Sequence, residues 1–155
     1  MRQPAKEKPM GLVKRVEICP LDSMKGGMAE FFTPQSCHET MLVHVPGGTI
    51  DDLFVHRYQT DQLLVVRGSM VLIILQNRHY QYIPLSHQHP MVVRIPPGVA
   101  HGAINPNPDT CVIVNAVLRH GKPHDRDYVP LKSPFPYDYD RARQALATLE
   151  PIKTA

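Results

Sequence analysis

Pro96-Pro97-Gly98-Val99-Ala100-His101-Gly102-Ala103-Ile104-Asn105 is the stretch that decides how this 155-residue chain folds. Two consecutive prolines fix φ, and the glycine behind them is free to take φ > 0. Met91-Val92-Val93-Arg94-Ile95 must therefore stop here, and the next strand must start in a defined register. That register aims His101 into whatever space the strands enclose.

The same punctuation recurs outward from this turn. Upstream, Met41-Leu42-Val43-His44-Val45 ends at Pro46-Gly47-Gly48, Leu63-Leu64-Val65-Val66 at Arg67-Gly68-Ser69, and Met70 to Leu75 at Gln76-Asn77-Arg78. His79-Tyr80-Gln81-Tyr82-Ile83 alternates with period two, the mark of a strand with one wet face. Downstream, Cys111 to Leu118 follows the turn-rich Asn105-Pro106-Asn107-Pro108-Asp109. Short strands separated by Gly and Pro, with no helical segment between them, predict an all-β sandwich or barrel rather than a βαβ fold. The 16 prolines point the same way, at about twice the usual ~5%.

Only the end of the chain has a helical period. Ala142, Ala145, Leu146 and Leu149 recur at i, i+3, i+4 and i+7 behind a cap at Asp138 or Asp140, and Pro151 stops the run. The expected organisation is an arm over residues 1–18, a β-barrel over 19–137, and a helix over 138–155 packed on the barrel.

Charge narrows the partners. The net charge of +3 lies wholly in residues 1–18, while residues 19–155 carry 12 basic and 12 acidic side chains. A neutral body without clustered cations argues against nucleic acid, whose binding depends on several cations releasing counterions. The longest aliphatic run, Met70 to Leu75, falls far short of the ~20 residues that span a bilayer, so no membrane partner is expected. Cys19, Cys37 and Cys111 are odd in number and widely spaced, which implies neither a disulfide framework nor a thiolate metal site. These features predict a soluble, reduced, cytoplasmic protein.

The signature P-x-G-x-x-H-x-x-x-N over residues 96–105 resembles the second motif of the cupin superfamily. The first cupin motif, G-x5-H-x-H-x3-4-E-x6-G, is partly present: Gly68 closes it, His56 stands at the first histidine, Tyr58 at the second, and Asp61 or Gln62 at the acid. Val55-His56-Arg57-Tyr58-Gln59 and Arg94 to Gly102 resemble the L-H-Y-Q and W-I-P-P-G-F-A-H-G-F motifs of the dTDP-4-keto-6-deoxy-sugar 3,5-epimerases, the dTDP-4-dehydrorhamnose 3,5-epimerase branch. Gln62 to Ser69 is similar to the Q-L-L-V-x-V-x-G-S run of the related dTDP-keto-sugar 3,4-ketoisomerases. The resemblance covers roughly residues 41–120.

It implies a jelly-roll barrel in which His56 removes the proton α to a ketone, oriented by an aspartate, while a tyrosine reprotonates and no metal takes part. An imidazole titrating near ~6.5 suits that task. His101 would line the same pocket, with Arg57, Tyr58, Gln62, Tyr80, Tyr82 and Asn105 as substrate-binding candidates. The sequence departs from the family in three places. Leu53 replaces a phosphate-binding arginine, no lysine stands among Gln62, Leu63 and Leu64, and the strand expected to carry the acid presents Asn115. The acid must then come from Tyr58, Tyr80, Tyr82 or Tyr128, and the orienting carboxylate from Asp125 or Asp127.

Two other functions fit the same residues. One is a metal-dependent, oxygenase-like cupin holding a divalent ion with His56, His101 and Asp61 or His44; the other is a cupin that binds a ligand without catalysis. His87-Gln88-His89 and the His120/His124 pair are expected on loops. A homodimer through edge strands is expected.

Overall fold

The structure, a computed structural model, describes residues 15–21, 23–27, 29–32, 35–121 and 127–149. The strands are β1 (Glu17–Pro20), β2 (Ser23–Gly26), β3 (Ala29–Phe32), β4 (Glu39–Val45), β5 (Leu53–His56), β6 (Gln59–Arg67), β7 (Ser69–Gln76), β8 (His79–Ser86), β9 (Met91–Ile95), β10 (Ala100–Ile104), β11 (Cys111–Arg119) and β12 (Tyr128–Leu131), followed by helix α1 (Tyr139–Ala147). They form two five-stranded antiparallel sheets, in the orders β1-β9-β6-β11-β4 and β12-β5-β10-β7-β8, with β2-β3 a separate hairpin. The predicted all-β jelly roll is the observed fold.

Period-two alternation explains how the sheets are buried. On β7, Met70, Leu72 and Ile74 face the space between the sheets, where they meet Leu63, Val93 and Ile113. Val71 and Ile73 face outward and are covered by Tyr80, Tyr137 and Ala142. Two buried faces account for the unbroken aliphatic run in β7, since neither face can be polar. Helix α1 is the cover on the outer face, against β7 and β8. Asp138 caps it, its carboxylate accepting the Arg141 backbone N–H at 3.0 Å. Pro151, expected to stop the helix, lies outside the described residues, as do residues 1–14 of the expected arm.

Proline is placed as its missing donor requires. Pro84 lies in β8 and Pro130 in β12, the two edge strands of their sheet. The β7–β8 hairpin turns through Asn77 and Arg78, both at positive φ (51° and 61°). This is the mirror-image turn that matches strand twist, made here without glycine. Among the described residues no helix is long and apolar enough to cross a membrane.

The Pro-Pro-Gly turn behaves as its residues demand. Gly98 takes φ 79°, and its N–H donates to the His56 carbonyl at 2.7 Å. The turn that starts β10 is thus tied to the end of β5. Gly102 meets a different requirement, close approach: a Cβ there would lie 2.9 Å from the Asp52 carbonyl oxygen and 3.4 Å from that of Asp51. Gly102→Ala should therefore cost about 1–3 kcal/mol, read as a lower urea midpoint; an unchanged midpoint would refute this packing of the 51–52 segment.

Candidate active site

Alternation brings Phe54 and His56 of β5, Asp61 and Leu63 of β6, His101 and Ala103 of β10, and Ile113 and Asn115 of β11 onto one cavity of about 380 Å³. Met41, Val43, Leu72 and Ile113 make much of the wall apolar, while Gln59, Asp61, Asn115, Arg119 and the two histidines supply its polar groups. Met41, Asp51 and Tyr128 are the exposed members of the lining and mark its mouth. Burial, with the charge of Asp52 behind it, holds the Asp51 carboxyl above its usual range.

Asp61 is the deepest charge, 2% exposed. Its Oδ1 accepts from Gln59 Nε2 at 2.6 Å and from Asn115 Nδ2 at 2.9 Å. Both amide orientations follow from donor-only neighbours: Arg119 Nη1 donates to Gln59 Oε1 at 2.8 Å, and the Gln62 backbone N–H donates to Asn115 Oδ1 at 3.0 Å. Oδ2 lies 3.0 Å from His101 Nε2 and 3.5 Å from His56 Nε2. His101 Nδ1 is 2.9 Å from the Val99 carbonyl, which can only accept, so the proton on that ring nitrogen is placed there. Burial pushes the Asp61 carboxyl up. The hydrogen bond from His101, the charges of His101 and His56, and the Asn115 hydrogen bond outweigh burial and hold it below the usual carboxylate range.

His56 sits between two carboxylates. Its Nδ1 is 3.3 Å from Asp127 Oδ2, close enough for an ion pair. That nitrogen is buried and lacks a properly aligned hydrogen bond, so Asp127 acts on the ring through charge. Asp127 is itself anchored, its Oδ1 accepting from the backbone N–H groups of Arg57 at 2.9 Å and Tyr58 at 2.6 Å. Tyr128 pairs with His56 across β12 and β5, its ring centroid 5.9 Å from that of His56. The Phe54 ring centroid lies 4.3 Å from that of His101 and 5.4 Å from that of His56, so its ring packs against both imidazoles.

The structure brings His56, His101 and Asp61 together and separates the other candidates from them. His44 faces outward on β4, where alternation gives the cavity Val43 and Val45, so it joins no ligand set. The side chains of Arg57 and Tyr58 are exposed in the β5–β6 turn, and it is their main-chain donors that serve the site. Gln62 is buried on the opposite face of β6, bonded to the Ser36 and Ala116 carbonyls and to Arg94. Tyr80 and Tyr82 lie outside the barrel: the Tyr80 hydroxyl donates to the Phe135 carbonyl, and the Tyr82 hydroxyl accepts from the Asp138 N–H. Asn105 organises the loop behind β10 through the Val45 and Asp109 carbonyls and borders a separate surface recess of about 570 Å³. Of the two orienting aspartates, Asp127 reaches His56 and Asp125 lies outside the described residues, as does His124. Phe54 and Arg119 had no motif to mark them, and Gln59, though it closes the segment likened to L-H-Y-Q, was not among the site candidates. Only the i, i+2 spacing of Phe54 and His56 hinted that they share a face.

No family profile and no curated protein matches the chain in sequence. Solved structures do match its fold. A dTDP sugar isomerase from Desulfovibrio desulfuricans G20 superposes with a TM-score of 0.67 at 12% identity, over 84% of this chain and 94% of that one. The TDP-quinovose 3,4-ketoisomerase WlaRB from Campylobacter jejuni gives 0.63 at 14%, over 84% and 99%. The sugar 3,4-ketoisomerase QdtA from Thermoanaerobacterium thermosaccharolyticum, solved with TDP, gives 0.62 at 14%, over 90% and 99%. At these identities the likeness establishes the architecture, a cupin-like jelly roll, and the chemistry has to be argued from the site.

Removing one partner from a buried ion pair leaves the other charge stranded, so Asp61→Asn should destabilise the fold by about 3–5 kcal/mol. Because the Asp61 carboxyl is held low in the folded state, its contribution is present above the unfolded carboxyl value of about 3.9 and is lost as pH falls below it. Urea unfolding from pH 7 to pH 2 should show a shallower acid loss in Asp61→Asn than in the wild type; equal slopes would contradict the assigned network.

Proposed function

We propose that this protein is an isomerase or epimerase that moves the proton α to the carbonyl of a sugar-like ketone, with His56 as base and without a metal. The observation that carries this reading is His56 on the cavity wall between two buried carboxylates, Asp127 at Nδ1 and Asp61 near Nε2. The Asp127 charge favours the tautomer protonated at Nδ1, leaving the Nε2 lone pair to take the substrate proton. His101, whose ring is 6.0 Å from that of His56, is the polar group set beside the developing enolate. Tyr128, exposed at the mouth with its ring 5.9 Å from that of His56, is our candidate for returning a proton, the role left open by Asn115 on β11. The isomerase neighbours of like fold lend support at the level of substrate class, since a mutant of one of them, the 3,4-ketoisomerase QdtA, was solved with TDP-4-keto-6-deoxyglucose.

Incubation with TDP-4-keto-6-deoxyglucose in deuterated water, followed by proton NMR, should show deuterium entering next to the carbonyl. His56→Ala should slow exchange by about 100-fold or more, and Tyr128→Phe should slow product formation more than exchange. A folded wild type that exchanges no deuterium into this ketone overturns the reading.

A metal-dependent reading has one observation in its favour: ligand atoms of His56, Asp61 and His101 lie within 4.8 Å of one another. Two imidazoles and a carboxylate suit a divalent transition metal, although bonds near ~2.1 Å require the three to draw closer. Stoichiometric metal whose removal abolishes exchange would favour it; full exchange in chelator-treated, metal-free protein would dismiss it.

The proposal includes a homodimer, with β4 as an edge strand that exposes Leu42, and a reducing cytoplasmic setting in keeping with three unpaired cysteines. Sedimentation at micromolar concentration should give twice the 17.5 kDa chain mass; a single-chain mass removes the dimer.

A further inference from the structure

We infer that Arg119 is a positioning residue that governs both carboxylates flanking His56. This rests on the proton-transfer reading above. Arg119 ends β11 and lines the cavity, and its guanidinium is held at the rim by Glu39, whose Oε2 accepts from Nε at 3.1 Å and Nη2 at 2.7 Å. The remaining nitrogen, Nη1, points inward in two directions.

One direction is toward Asp127. Nη1 lies 4.0 Å from Asp127 Oδ2, the same oxygen that is 3.3 Å from His56 Nδ1. The guanidinium charge therefore faces the same oxygen as the imidazole, while the Arg57 and Tyr58 N–H groups anchor the other carboxylate oxygen. The other direction is toward Asp61. Nη1 donates to Gln59 Oε1, and because guanidinium has no acceptor, the Gln59 amide can only present Nε2 to Asp61 Oδ1. Without Arg119 the Gln59 carbonyl oxygen loses its donor inside the barrel, and the amide that serves Asp61 is held by that carboxylate alone. One guanidinium thus restrains the amide that serves Asp61 and sets its charge beside Asp127.

The charged and titratable groups around this centre are His38, whose Nδ1 accepts from the Arg119 N–H at 2.8 Å, Glu39 from β4, Asp51 from the β4–β5 connection, His56 from β5, Asp61 from β6, His101 from β10, and Asp127 and Tyr128 at β12. Arg119 is the one cation in the cavity lining other than the imidazoles, among the described residues. Lysine in its place keeps a positive donor near Gln59 and Asp127; glutamine does not.

The test compares the wild type, Arg119→Lys and Arg119→Gln by exchange kinetics with TDP-4-keto-6-deoxyglucose and by the NMR signals of the Gln59 side-chain amide. Arg119→Gln should lower kcat about 10–100-fold with KM changed less than about 3-fold, and Arg119→Lys should recover kcat to within about 5-fold of the wild type. The Gln59 amide protons should exchange slowly with solvent in the wild type and in Arg119→Lys, and fast in Arg119→Gln. A loss confined to KM, a lysine variant as poor as glutamine, or a Gln59 signal indifferent to Arg119 overturns the inference. If the wild type turns nothing over, the proposed function fails, and the amide signals still decide the role of Arg119. Should Arg119→Gln not fold, Arg119→Lys carries the test: lost Gln59 protection with kcat intact overturns it.

Discussion

The interaction on which the rest of the structure depends is the ionised carboxylate of Asp61, buried between two sheets. A charge taken from water costs several kcal/mol unless it is paired and hydrogen-bonded. Here each partner comes from a different element: Gln59 from β6 itself and Asn115 from the neighbouring β11 at Oδ1, and His101 from β10 in the facing sheet at Oδ2. Asp61 therefore stitches the two sheets together at the polar end of the cavity, while Leu63, Met70, Leu72 and Ile113 close the apolar end. Any loss of sheet register would leave donors or acceptors unpaired inside the barrel, so fold and site are one constraint.

That constraint explains the charge pattern. The body of the protein is neutral overall, yet the cavity concentrates Asp51, Asp61, Asp127, Arg119, His56 and His101. Charges set within a few ångströms of one another in a largely buried site interact strongly, so removing any one of them should be felt at its neighbours. The solved sugar isomerases share the barrel at 12–14% identity. A jelly roll can keep its shape at such identity because alternation and turn chemistry, rather than particular side chains, specify it.

Several parts of this arrangement were legible in the chain itself. Pro96-Pro97-Gly98 stated a strand end and a positive φ, and Gly98 has one. His56 and His101 stood out by motif, and they share the cavity. The candidates that lie elsewhere are instructive. Tyr80 and Tyr82 were paired on one face by period two, but periodicity does not say which face of a sheet is inside, and the outer face of β8 is itself covered, Tyr80 being buried and Tyr82 half-buried against the second apolar cluster. Gln62 sits in a motif run, and a one-residue step places it on the side of β6 away from the cavity. Arg57 and Tyr58 contribute through N–H groups, which any residue except proline would supply.

Strand period, proline positions and a glycine-dependent turn are local properties, and for that reason the amino-acid sequence alone determined the all-β class, most strand positions and the inward aim of His101. Which carboxylate meets which imidazole is a matter of long-range register. Asp61 reaches His101 across 40 positions of chain, Asp127 reaches Tyr58 across 69, and Arg119 reaches Gln59 across 60. Only the closure of the two sheets brings those groups within hydrogen-bonding distance, so the tertiary structure alone decided that Asp127, Gln59 and Arg119 belong to the site and that His44, Tyr80 and Tyr82 do not.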